Sequence, residues 1–309
     1  MKICDDNKIL NPKTNICVKK SGIIGKKLLI YNEKIHLFWK KNSCYLDSVL
    51  VSLFHDNDIN LINYPLIKFK NKDLNKKASN LKNELLKIYE IIAERKINSK
   101  RDKCSLLRKF IDDFYNNLID IYPDKKIIGK NENWLNSQLD VFDFLNLYEK
   151  MFNIPNNITI KEGNNLYNSN FIYNIPTELL LNKNKVFIKN ILPSFKIKNN
   201  DLIIQTTLLK ADKLFLKIFR NLDYFKLETN IIPSKTLKLK NNNFDLHLTS
   251  LIIHYGNNEG GHYICLYKFQ DKWFEYDDMN NSPTYIGSLN KIIQNHNYTS
   301  NIIGLVYSK

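Results

Sequence analysis

The sequence predicts an α+β protein, and three observations lead there. Apolar residues from about position 44 to position 151 recur at helical spacing. Beyond about position 155 the texture changes to short apolar or alternating runs separated by Asn, Pro and Gly, which read as strands. The two textures follow one another instead of alternating, which favours helices packed on an antiparallel sheet over a doubly wound fold. No internal repeat is visible.

Each element follows from its own stretch. Residues 1–30 include "CDDNKILNPKTNICVKKSGIIGKKLL", with Cys4, Cys17 and the turn signal "NPKT". This segment is too short for a core of its own, and its two cysteines either pair or sit as small buried groups. In "KKNSCYLDSVLVSLFH", Leu46, Val49, Leu50, Leu53 and Phe54 follow helical spacing, with Cys44 at the N-terminal end. The dipole and free N–H groups there favour a thiolate. Leu81, Leu85, Ile88 and Ile92 mark a second helix, and Leu107, Phe110, Phe114 and Leu118 a third, with Cys104 beside it as packing material. A further helix is expected from Ser137 to Met151. "NNITIKEG", "SNFIYNIP", "DLIIQTTLL" and "KLFLKIF" read as strands, and "FDLHLTSLIIHYG" is the strongest of all. "GHYICLYKF" and "KWFEYDD" read as the next two, an antiparallel pair.

Composition bounds the function classes. The chain has 309 residues, enough for one large domain or two ordinary ones, and 43% of them are hydrophobic, so a sizeable core is available. No apolar run reaches the ~18 residues of a membrane span. "MKICDDNKILNP" lacks the apolar stretch of a signal peptide, so an intracellular protein without membrane partners is expected. The net charge is +15, yet arginine appears only at Arg95, Arg101, Arg108 and Arg220. Nucleic-acid readers exploit arginine's bidentate fork. The scattered lysines, in a chain rich in Asn and Ile, fit A/T-leaning codons and a solvated surface, with nucleic-acid binding through that lysine-rich surface as the minor reading. None of the five cysteines forms a CxxC pair, so neither a zinc ribbon nor any other metal or cofactor is expected.

A nucleophilic thiol needs an imidazole to exchange protons and a group to orient that imidazole. Of six histidines, His262 in "GNNEGGHYICLY" stands after Gly260 and Gly261 and before a strand. The two glycines let backbone approach a bound substrate closely. A return strand through "KWFEYDD" brings Asp277 beside the imidazole, with Asp278 as the competing carboxylate. Strand alternation predicts that the two face opposite ways, so that one alone orients His262.

These residues carry a family resemblance. "NSCYLDSVLVSLF" resembles the cysteine box of the ubiquitin-specific proteases, nearest the cylindromatosis-type deubiquitinases that share "NSCYLDS". "LTSLIIHYGNNEGGHYICLYKFQDKWFEYDD" resembles the histidine box, "QLDVFDFL" the glutamine-aspartate box, and "KLFLKIFR" a further strand. The boxes span residues 35–279 in the family's order. Cys4, Asn11, Pro12, Thr14, Cys17, Val18, Gly22 and Gly25 resemble a two-cysteine adaptor segment of large-DNA-virus proteins. The segment and the A/T-leaning composition point to a viral protein acting in host cytoplasm or carried in the virion.

The resemblance implies residues 1–30 as an adaptor-like segment and residues 31–309 as a catalytic domain. It implies a papain-like cysteine protease fold, with a helical thumb and an antiparallel-sheet palm. Zinc fingers are absent or reduced. Cys44 would be the nucleophile, His262 the general base and acid, and Asp277 the orienting residue. Asp140 and Asp143, with Gly260 and Gly261, would hold the ubiquitin tail, and position 143 carries Asp where the family has Glu. Many members have an oxyanion-stabilising asparagine five residues before the cysteine. Here that position is Trp39, and Asn42 is the oxyanion-hole candidate beside backbone N–H groups. The partner is then ubiquitin or its conjugates. The alternatives are a peptidase for another ubiquitin-like modifier or a viral precursor, and a non-catalytic ubiquitin-binding pseudo-enzyme.

Overall fold

The computed structural model describes residues 5, 7–11, 16–25, 37, 42–56, 60–93, 103–155, 158–162, 164–169, 172–181, 183–192, 194–199, 202–222, 225–257, 260–280 and 283–309. Cys4 and Trp39 lie outside these residues, as does Cys104's side chain. Strands β1 (Lys8–Asn11) and β2 (Ile16–Lys19) pair antiparallel, and Cys17 on β2 is disulfide-bonded; positions 12–14 of the turn signal lie outside the described residues.

Four long helices follow: α1 (Cys44–Phe54), α2 (Lys72–Ala93), α3 (Lys103–Ile121) and α4 (Val141–Met151). In α2 the stripe of Leu74, Ala78, Leu81, Leu85, Ile88 and Ile92 is buried. In α3, Leu107, Ile111, Phe114, Tyr115 and Leu118 do the same work, while Phe110 is half-buried beside them. Helix α1 is buried on every side, the condition of a helix that runs through a core. The fourth helix begins at Val141, not at Ser137. Asp140 takes the extended conformation of an N-cap, φ −83° and ψ 147°, and closes a capping box with Asp143. Residues 137–139 therefore precede the helix and are free to follow the cleft.

The strand half builds two large sheets, beside two small two-stranded ones at 221–222/225–226 and 185–187/230–232. A four-stranded antiparallel sheet joins β3 (Ile158–Glu162), β4 (Asn165–Ser169), β6 (Ser194–Asn199) and β7 (Leu202–Ala211), in the order β4-β3-β7-β6. The sequence has no cysteine across this interval, so it holds no thiolate metal site. The main sheet is eight-stranded. It contains β5 (Ile172–Ile175), β8 (Lys213–Ile218), β9 (Leu246–Gly256), β10 (Gly261–Phe269), β11 (Lys272–Tyr276), β12 (Thr284–Gly287) and β13 (Ile302–Ser308), in the order β12-β11-β10-β9-β13-β8-β5. The two-residue strand Thr236–Leu237 adds to β9. Pairing is antiparallel except for β5 on β8.

Both faces of this sheet are covered. Phe215, Ile252, Cys265, Tyr267, Phe274 and Val306 turn toward the helices. Leu214, Leu216, Leu251, Ile253, Ile264, Leu266 and Leu305 turn toward a second core. This two-residue alternation, apolar on both sides, is why β9 reads as an almost continuous apolar run. Helix α1 packs on β10, and that contact sets Cys44 against His262. No described helix is long and apolar enough to cross a membrane.

Candidate active site

Cys44 is the first residue of α1, behind Ser43 as N-cap. Ser43's carbonyl accepts from Leu46 N at 2.9 Å and Asp47 N at 3.0 Å. Ser43 lends no side-chain cap, because its Oγ donates to Asp47 Oδ2 at 2.7 Å. Cys44 is 2% exposed and carries a free thiol. The sharp entry into the helix is made at Asn42, which sits at φ +62°, a left-handed conformation that Asn tolerates. Asn42 Nδ2 donates to the Asn136 carbonyl at 3.0 Å, so one amide hydrogen of the oxyanion candidate anchors the loop leading to Gln138.

His262 is the second residue of β10 and lies opposite Tyr255 on β9. Its Nε2 is 2.8 Å from Asp277 Oδ1. Its other partner is Cys44. Hydrogen bonding to Asp277 first, then to Cys44, raises the imidazole from its ordinary range to about 10, against the opposing effect of burial. Asp277 follows the last residue of β11. Burial would raise its carboxyl, but the bonds from His262 and from Met279 N (2.9 Å) win and hold it below the usual range. Asn280 Nδ2 binds the second oxygen at 3.1 Å, which fixes the carboxylate plane.

Asp278 departs from the simple alternation. Its Oδ1 lies 3.9 Å from the same His262 nitrogen, because the strand ends at Tyr276 and the chain turns there. Burial, then the neighbouring Asp47 carboxyl, pushes Asp278 up to about 9. At neutral pH it is an uncharged acid, and only Asp277 pairs with His262. His262, Asp277 and Asp278 are the one group among the described residues spaced to hold a metal ion.

A cavity of about 240 Å³ opens beside this constellation. Gln138, Asp140, Phe142 and Asp143 line one wall, and Lys217, His254, Gly260 and Tyr263 line the other. Asp140 Oδ1 accepts from Phe142 N at 2.9 Å, and Asp143 Oδ2 accepts from Asp140 N at 3.0 Å. The second oxygen of each carboxylate makes no hydrogen bond to a described residue. Asp140 is open to the cavity but hemmed in by protein, and that desolvation raises its carboxyl. Desolvation likewise raises Asp143, to about 6. His254 stacks on Tyr263 at 4.3 Å, and burial pulls it down to about 4, so it is neutral.

The glycines divide their work. A Cβ on Gly260 would touch only Gln138 Oε1, at 3.2 Å, so this residue keeps the cavity wall low. A Cβ on Gly261 would strike the Tyr255 carbonyl and His254 Nε2, so this residue is demanded by strand packing. Gln138 was quoted in the sequence only as the start of a box. Its amide donates to the Gly261 carbonyl and ties the thumb to the palm. Lys217 was not singled out at all. A lone lysine in a strand gives no sequence signal.

A thiol at a helix N-terminus, an imidazole on a facing strand and a carboxylate behind it define a papain-like thiol hydrolase. Residues 39–295 match the family described as "Ubiquitin carboxyl-terminal hydrolase", and this chain belongs to that family, as a cysteine-type hydrolase. No curated protein matches the chain in sequence. Among solved structures it is similar to one titled "Structure of the SAGA Ubp8/Sgf11/Sus1/Sgf73 DUB module bound to ubiquitin aldehyde". The TM-score is 0.57 at 15% identity, over 96% of this chain and 77% of that one, which is a likeness of fold.

Proposed function

We propose that the chain is a deubiquitinase that works through Cys44, His262 and Asp277. The observation that carries this reading is His262 held between Cys44 and Asp277 Oδ1 at 2.8 Å. The Cys44 thiolate attacks the carbonyl carbon of the substrate's C-terminal glycine, and the π pair moves to oxygen. The His262 imidazolium gives its proton to the departing lysine amine as the C–N bond breaks, leaving a thioester. His262, now neutral, takes a proton from water, the hydroxide attacks the thioester, and the thiolate leaves. Asp277 holds the ring's tautomer and stabilises the imidazolium throughout. The Cys44 backbone N–H and the remaining Asn42 amide hydrogen are the donors offered to the oxyanion. One such donor is worth roughly 2.7–4 kcal/mol of barrier.

The cationic tail of ubiquitin is read by the unengaged oxygens of Asp140 and Asp143, past the low wall at Gly260. The similar solved structure contains ubiquitin aldehyde, which supports ubiquitin as the modifier. A peptidase for another ubiquitin-like modifier shares the chemistry and differs at these two aspartates. Fluorogenic ubiquitin and other modifiers are compared on the wild type and on Asp140→Lys and Asp143→Lys. The reading expects ubiquitin to be preferred and its kcat/KM to fall at least tenfold in both variants. Equal turnover of the modifiers, or indifference to charge reversal, contradicts it.

A further inference from the structure

The acidic cavity already contains a cation. Lys217 lies on β8, in the wall facing Asp140 and Asp143. Its Nζ sits 4.3 Å from the Phe142 ring centroid and 4.3 Å from that of Phe219, between two aromatic faces. Among the described residues it makes no hydrogen bond and no ion pair within 4 Å, an unusual state for a half-buried lysine. Phe219 is 43% exposed, so the outer ring of this clamp is not locked in a core.

We propose that Lys217 is a resident counter-cation of the tail-reading cavity, displaced from its aromatic clamp when a cationic substrate side chain enters. That makes it a specificity-determining residue. The inference rests on the tail-reading role of Asp140 and Asp143 proposed above. The other charged groups around the cavity do not compensate. Arg220 is 2% exposed and spends its guanidinium on the carbonyls of Ile302, Leu227, Thr229 and Thr299. Glu132 Oε2 accepts from Gly129 N at 2.5 Å. His254 is neutral, and burial raises the Tyr263 phenol, so it stays protonated.

Two consequences follow. Lys217 opposes the desolvation that raises both aspartates' carboxyls, so it favours their charged forms while the cavity is empty. It also repels an incoming cation. A unit charge ~6 Å away at an effective dielectric of roughly 40 weakens binding by about tenfold. Burial in turn lowers the pKa of Lys217, and the two aspartates oppose that.

The test measures KM and kcat for wild type, Lys217→Met and Lys217→Gln at pH 8.5, well above the value of about 6 to which Asp143 is raised. Substrates are fluorogenic ubiquitin with its tail arginines intact and the same protein with them replaced by glutamine. The proposal expects the intact tail's KM to fall about tenfold in both variants, with kcat unchanged and the glutamine tail's KM within twofold. It also expects the low-pH rise in KM to begin at higher pH in both. A KM unchanged or raised for the intact tail, or lowered equally for both tails, overturns it. If the wild type itself ignores the tail arginines, the tail-reading role fails and Lys217's role with it. Wild-type discrimination with indifferent Lys217 variants overturns the inference alone.

Discussion

Replacing Gly261 by alanine separates strand packing from chemistry at one position. Gly261 pairs with Gly256 at the loop end of the β9–β10 hairpin, one residue before His262. The added Cβ meets the Tyr255 carbonyl, comes within 2.5 Å of His254 Nε2 and within 2.9 Å of Gly256 Cα. Two of these three contacts are backbone, so no rotamer change relieves them and the strand must shift. Overpacking of this kind costs about 1–3 kcal/mol. At about 2–4 °C per kcal/mol for a chain of roughly this size, Tm falls by several degrees. A misplacement of ~1 Å at the imidazole costs about a hundredfold in rate. Gly260→Ala is the internal control, because its Cβ meets only the Gln138 side chain at 3.2 Å, and that side chain yields. Thermal unfolding and steady-state kinetics on fluorogenic ubiquitin read both effects. Gly261→Ala loses stability and kcat, whereas Gly260→Ala keeps its Tm and raises KM. A Gly261→Ala variant with wild-type Tm and kcat refutes the packing argument.

Asp277→Asn removes the carboxylate whose hydrogen bond does most to raise His262. Its kcat falls by about a hundredfold or more, and the alkaline limb of the pH–rate profile moves from near 10 toward neutrality. The same pair bears on stability. Because His262 is held above its ordinary value, the stabilisation is fully present below ~6.5 and is lost as pH rises through about 10. Denaturant unfolding of wild type therefore shows a loss over that window that Asp277→Asn lacks. Arg220→Met leaves four backbone carbonyls without their donor. A buried acceptor left unsatisfied costs about 1–3 kcal/mol, so that variant loses stability on at least this scale in urea unfolding, and a change under about 1 kcal/mol contradicts the network's structural role.

Periodicity made most of the architecture legible. The stripes of α2 and α3 and the runs of β8 to β11 appear where apolar spacing placed them, because burial on one or two faces writes itself into the sequence. Strand β13 escaped notice although it lies between β9 and β8 at the centre of the sheet. Its "IIGLVYS" is a short run at the chain's end, and nothing local says which strands it joins. The start of α4 was misplaced by four residues because Asp140 looks like a helical carboxylate until its capping geometry is known. Of the site, Cys44, His262 and Asp277 were legible through their motifs, and the structure brings them together. Asp278's approach to Asp47, the clamp on Lys217 and the bond from Gln138 to Gly261 were not. Each brings in a residue far away in the chain (Asp47 for Asp278, Phe142 for Lys217, Gly261 for Gln138), and no pattern within one segment encodes such a contact.

The most direct test of the central claim is covalent capture. Ubiquitin carrying an electrophile at its C-terminus is incubated with wild type and with Cys44→Ala, and intact mass is measured, with thermal unfolding to show that both are folded. The account predicts a single adduct on the wild type, mapped to Cys44, and none on Cys44→Ala. A folded wild type that forms no adduct, or a Cys44→Ala variant that forms one, contradicts it.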